Sequence, residues 1–107
     1  MTGYILVKCN CPNEKTAQLI AQQVVELKLA ACVNILGEMK SVYYWQGKIE
    51  QDIEFQLQIK THQSLFLALE QKIIELHPYD VAEIIALPII NGNQAYLDWI
   101  RENIKSS

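Results

Sequence analysis

The sequence has no cluster of lysine and arginine. Nine basic residues are scattered among twelve acidic ones over 107 residues, for a formal net charge of -3. Affinity for a phosphate backbone rests on concentrated positive charge, so a nucleic-acid interface is excluded. No apolar run approaches the ~18 residues that a membrane-spanning helix needs. The first residues, Met1-Thr2-Gly3, pass directly into strand-like Tyr4-Ile5-Leu6-Val7, with no charged start, apolar block and small-residue cleavage site. No secretory leader is therefore expected. Cysteine is scarce and odd in number, three in all, which fits reduced thiols better than a disulfide framework and leads to an expectation of a cytoplasmic protein. The signatures of enzymes are missing too: there is no glycine-rich phosphate loop, nucleophile elbow or His-Glu zincin pattern. A non-enzymatic protein is expected, and a cysteine nucleophile paired with His77 is the one catalytic arrangement the residues leave open. With no linkers, repeats or low-complexity segments, residues 1–107 read as one domain.

What is present is organised around Ala31 to Lys60. Ile53, Phe55, Leu57 and Ile59 alternate with Glu54, Gln56, Gln58 and Lys60, and period two means a strand with unlike faces. Ahead of it lies the β-prone run Val42-Tyr43-Tyr44-Trp45, and Gln46-Gly47 can supply the tight turn between them. The two runs predict a long antiparallel hairpin. An unbroken register from that turn would set Asn34 against Ile59 and mix polar with core residues. One extra residue between about Leu36 and Val42 restores Val33 and Ile35 to the face of Leu57 and Ile59, and Gly37 makes a bulge there cheap.

The remaining elements follow from spacing. Tyr4 to Cys9 predicts a central strand, because its apolar groups serve both faces. Asn13 caps a helix with the stripe Ala17, Ile20, Ala21, Val24 and Leu27. A second helix carries Leu65, Leu69, Ile73 and Leu76, with Thr61 or Ser64 as its cap, and Pro78 ends it by disfavouring helical geometry at His77. Val81 to Ile90 predicts a fourth strand containing Glu83, with Pro88 placed at an edge or where the strand leaves the ladder. Asn93 caps a last helix striped by Leu97, Ile100 and Ile104. The order βαββαβ plus a C-terminal helix is an α+β, ferredoxin-like arrangement, with two helices on one face of an antiparallel sheet. Apolar residues remain for the other face, and the hairpin is about twice the usual strand length. Both point to a homo-oligomer meeting through sheet faces and hairpin edges.

Several ordered segments resemble the CutA family, the divalent-cation tolerance proteins. They are Ala30-Ala31-Cys32-Val33-Asn34-Ile35, Ser41-Val42-Tyr43-Tyr44-Trp45-Gln46-Gly47-Lys48-Ile49, Ile59-Lys60-Thr61, His77-Pro78-Tyr79 with Glu83-Ile84, and Tyr96-Leu97 with Trp99. The resemblance implies a homotrimer of ferredoxin-like subunits, similar in plan to PII signalling proteins, with clefts between neighbours. It also implies a link to tolerance of copper and other divalent ions. One departure stands out, because Ala82 occupies a position where the family commonly has proline before the glutamate.

Cys9, Cys11, Cys32, His62 and His77, with the two methionines, are the soft or borderline metal ligands of the chain. Thiolate plus imidazole suits copper or zinc rather than hard ions. Cys9, Cys32 and His77 match positions at which the resemblance implies copper ligation, so copper or another divalent metal is the expected cofactor. Against this, Cys9 and Cys32 lie in apolar strands, where a free cysteine serves as a small core residue. Cys11 reads as an exposed thiol, because it faces with Cys9 only if the strand continues that far. A second candidate site is a cleft built from Lys60, Tyr79 and Glu83, joined by His77 and by Trp45 or Trp99 of a neighbour. There Lys60 is the expected opposite charge for Glu83, and the competing structural reading is a salt bridge that fixes assembly register. Tyr43, Tyr44 and Trp45 read as interface packing ahead of the alternative, an aromatic binding platform. The alternative function is a PII-like regulatory module, in which intersubunit clefts bind a small anionic ligand and the hairpin tip meets an unidentified protein partner.

Overall fold

A computed structural model describes residues 1–106. Its elements run β1 (Tyr4–Cys11), α1 (Glu14–Glu26), β2 (Cys32–Trp45), β3 (Lys48–His62), α2 (Phe66–Leu76), β4 (Ile84–Pro88) and α3 (Gln94–Glu102), with a 3-10 turn at Gln63–Leu65. The four strands form one antiparallel sheet in the order β2-β3-β1-β4, which is the ferredoxin-like order expected from the sequence. β1 is central and β4 is an edge, which is why Pro88, lacking a backbone donor, is tolerated there.

Alternation along β1 decides the layers. Ile5, Val7, Cys9 and Cys11 face one way, beside Thr61, Ile59, Leu57 and Phe55 of β3. They pack with Ala17, Ile20 and Val24 of α1 and Leu69 and Ile73 of α2 into the main core. Leu6, Lys8 and Asn10 face the other way, across from Lys60, Gln58 and Gln56. That second face is not left bare at both ends: α3 closes one end, where Tyr4, Leu97 and Ile100 are buried with Ala31, Ile89 and Ile104 against them.

The ends of the elements follow their capping chemistry. The Asn13 side chain accepts from the Thr16 backbone N–H at 2.8 Å, and Asn93 accepts from Tyr96 at 3.2 Å. α2 differs from the expectation of Thr61 or Ser64 as cap. His62 Nδ1 accepts from the Ser64 backbone N–H at 3.1 Å and caps the 3-10 turn instead, while the Thr61 hydroxyl is buried and donates to the Leu29 carbonyl at 2.7 Å. α2 stops at Leu76, and His77 is already extended at φ -85°, ψ 136°, as required before proline.

The hairpin turns at Gln46-Gly47, both with positive φ, 50° and 78°, the backbone that a tight two-residue turn of matching twist demands. Its ladder holds from Trp45↔Lys48 to Met39↔Glu54 and resumes one residue out of step at Leu36↔Gln56. The extra residue thus falls between Leu36 and Met39, and it brings Val33 and Ile35 opposite Ile59 and Leu57 as the sequence pattern requires. Gly37 is needed for more than backbone freedom, since a Cβ there would collide with the edge of the Phe55 ring.

Two further expectations are corrected. β1 runs two residues beyond Cys9, so Cys11 is fully buried rather than exposed. β4 is shorter than Val81 to Ile90; Glu83 precedes its first residue and is exposed.

Replacing Gly37 with Ala should therefore destabilise the fold by about 1–3 kcal/mol, the usual cost of overpacking. Urea unfolding of Gly37→Ala beside Gly37→Ala/Phe55→Leu measures it. A double variant no more stable than the single one would show that the Phe55 ring is not what Gly37 accommodates.

Candidate metal centre

The extension of β1 to Cys11 creates the most concentrated chemistry in the chain. Cys9 and Cys11 are two apart on one strand, so both sulfurs project from the helix-side face. The end of α2 delivers His77 to the same place, because Pro78 stops the helix there. Ligand atoms of Cys9, Cys11 and His77 lie within 4.8 Å of one another. Neither cysteine exposes any surface, and His77 is 7% exposed.

Local bonds fix the imidazole. The Tyr79 backbone N–H donates to His77 Nδ1 at 3.1 Å, which leaves Nε2 to carry the proton and donate to the Asn10 carbonyl at 2.7 Å. Cys9 Sγ donates to the Asn10 carbonyl at 3.9 Å, and the nearby Cys11 sulfur, reinforced by burial, pushes the Cys9 thiol well above its ordinary range. The proximity of Cys9 lowers the Cys11 thiol against the opposing effect of burial.

A buried acid lies alongside. Glu54 is 7% exposed and accepts from the Tyr79 hydroxyl at 3.1 Å. Alternation placed Glu54 among outward polar residues, and the chain segment carrying Tyr79 folds back to cover it. Burial, followed by the Glu54 hydrogen bond, pushes the Tyr79 phenol up to about 12. At the neighbouring position Tyr43 donates to Asp52, which likewise pushes its phenol up to about 12.

The other residues singled out from the sequence divide between two ends of the sheet. Cys32 does not join Cys9 and His77. It pairs with Lys60, which pairs with Leu6, and Leu6 is an odd number of residues from Cys9, so Cys32 faces the opposite side. Lys60 is not the partner of Glu83. Its Nζ donates to Asn34 Oδ1 at 2.8 Å and sits 5.7 Å from the Tyr96 ring centre, with Trp99 stacked on Tyr96. Glu83 accepts from Asn10 Nδ2 at 2.8 Å, and Asn10 is four strand residues, about 13 Å, from the Lys60 level. Trp45 is 60% exposed at the hairpin tip, away from Tyr79 and Glu83 within one chain. The sequence reading missed Cys11 and Glu54. The signal for Cys11 was there, since Ile5, Val7, Cys9 and Cys11 continue one period-two series; Glu54 carried none.

Comparison with known proteins agrees with the fold. Residues 5–103 match the model of the CutA1 divalent ion tolerance protein family. Human protein CutA is 52% identical over 96 residues, covering 90% of this chain and 54% of the human protein; the chain thus spans about half the length of that relative. The divalent cation tolerance protein of Thermus thermophilus superposes with a TM-score of 0.93 at 46% identity, covering 95% of this chain and 99% of the other. CutA1 of Oryza sativa superposes at 0.96 and 42% identity over the full length of both.

The Tyr79 phenol makes a pH prediction. The unfolded phenol loses its proton near 10 and the folded one near 12, so its stabilising contribution is complete below pH 10 and falls away as the pH rises towards 12. Tyr79→Phe should lower stability at neutral pH by about 1 kcal/mol through the lost bond to Glu54. It should also flatten the alkaline decline, leaving the share due to Tyr43. Denaturant titrations across this range check it, and parallel curves for both proteins would contradict it. With the family model spanning nearly the whole chain and the fold matched end to end, this chain belongs to the CutA1 divalent ion tolerance family.

Proposed function

We propose that this chain acts in tolerance of divalent cations, copper above others, by binding metal ions as a non-enzymatic homotrimer in the cytoplasm. The observation that carries the reading is the convergence of Cys9, Cys11 and His77, a donor set matched to soft and borderline metals. His77 and Cys9 are shared with the ligands expected from the sequence, and Cys11 stands where Cys32 was expected.

Assembly is supported by the hairpin arm. On one of its faces Val42, Tyr44, Ile49 and Ile53 are all more than half exposed; Tyr44 pairs with Ile49, and the same face carries Val42 across from Gln51 and Ile53 across from Lys40. An apolar ribbon of this size is stable in water when a second copy covers it. The cytoplasmic placement is supported by three cysteines that stand as free thiols, which persist in a reducing compartment. Among the described residues no helix is long and apolar enough to cross a membrane.

A second reading, the PII-like module, is favoured by Lys60. Its ammonium has no carboxylate partner among the described residues and stands beside Asn34 and Tyr96. There an anionic ligand would find both charge and an aromatic wall, with Trp99 adjacent.

Sedimentation and calorimetric titration of the reduced protein test both readings. A trimer that binds at least one copper or zinc ion per chain is expected. A monomer would remove every intersubunit cleft, and the absence of any metal binding would remove the metal reading. Binding of anionic metabolites, lost in Lys60→Ala, would establish the second reading in its place.

A further inference from the structure

We infer that the Cys9, Cys11 and His77 cluster is a site for monovalent copper, held chiefly by the two sulfurs and completed inside a single chain. The inference rests on the metal-binding reading above and narrows it to one oxidation state, one pair of dominant ligands and no contribution from Cys32.

Three features separate this site from one built for a divalent ion. The first is donor number. Structural zinc takes four ligands, yet among the described residues no further histidine, cysteine or acid joins the three. Glu54, the one buried acid among the described residues, is outside the cluster and is already engaged by the Tyr79 hydroxyl. The second is access. With Cys9 and Cys11 wholly covered and His77 nearly so, solvent does not supply the missing ligand. A low-coordinate ion with a preference for thiolate is the one satisfied here, and Cu(I) has both properties.

The third feature is the unequal readiness of the donors. Side chains two apart on a strand stand about 6.6 Å apart at the backbone and point the same way. Two sulfurs at ~2.3 Å from one ion lie up to about 4.6 Å from each other, a span the observed cluster already meets to within small adjustments. The imidazole is less free. Both its nitrogens are committed, one to the Asn10 carbonyl and one to the Tyr79 N–H, so ligation costs it one of those bonds. The sulfurs therefore carry most of the affinity and His77 adds a weaker third bond. On loading, each thiol that binds releases its proton and the ion keeps its +1 charge, so no electron is exchanged.

The test is an anaerobic titration of the full-length, reduced protein with Cu(I) supplied from a bicinchoninate buffer, and in parallel with Zn²⁺. One Cu(I) per chain is expected, with two sulfur neighbours in X-ray absorption of the wild-type protein. Cys9→Ser and Cys11→Ser should each weaken Cu(I) by about 100-fold or more, while His77→Ala weakens it by about 10-fold, within the range of an auxiliary contact. Cys32→Ser should leave it unchanged. Circular dichroism and sedimentation confirm that the variants are folded, and the wild-type absorption spectrum stands without them. Tight Zn²⁺ binding with no Cu(I) binding would overturn this inference while sparing the metal-binding reading. Binding of neither ion would end both. Loss of Cu(I) in Cys32→Ser but not in Cys11→Ser would also overturn it, by moving the site to the opposite face of the sheet.

Discussion

Everything in this structure depends on the register of β1 against β3. β1 is flanked on both sides and faced on both sides, so each of its residues is committed either to the helices or to the other face. A slip of one residue would send Ile5, Val7, Cys9 and Cys11 away from the core and bring Lys8 and Asn10 into it. The cost of burying that ammonium and amide without partners makes the register all but unique. The position of the sulfurs is thus not a local accident of a loop; it is fixed by the same alternation that fixes the core.

The long hairpin is the second consequence of that register. β3 must present Leu57 and Ile59 to the helices at one end and an apolar ribbon face to solvent or a neighbour at the other. β2 follows only because it gains a residue at Gly37, where the ring of Phe55 fills the space a side chain would occupy. Beyond the bulge the strands continue as a two-stranded arm that has no layer of its own. Its apolar side chains are stable there only as half of something larger.

Much of this was legible in the residues themselves. Period two in β3, helical spacing in the three helices, asparagine caps at two of them and proline after α2 each name a local structure for a local reason. The bulge could be read because two halves of one strand demanded incompatible registers. Three things could not be read. The length of β1 depended on whether Cys11 stayed extended before Pro12, and local pattern does not decide that. The burial of Glu54 depends on Tyr79, a residue distant in sequence that folds over it. The separation of Lys60 from Glu83 is set by where the strands lie, since the attraction of opposite charges does not reach across four strand residues of a solvated surface. The family resemblance carried the fold, but the ligand set transferred by position, Cys9, Cys32 and His77, did not include Cys11.

The imidazole and the sulfurs belong to different layers. Cys9 and Cys11 are part of the sheet, whereas His77 hangs from the end of α2 and is tied to the sheet by one bond to the Asn10 carbonyl. An occupant held by all three would act as a rivet between the layers. Whatever binds only the closed form stabilises it by RT ln(1 + [L]/Kd), so occupancy would be felt first as slower opening of the α2 end, ahead of any change at the surface.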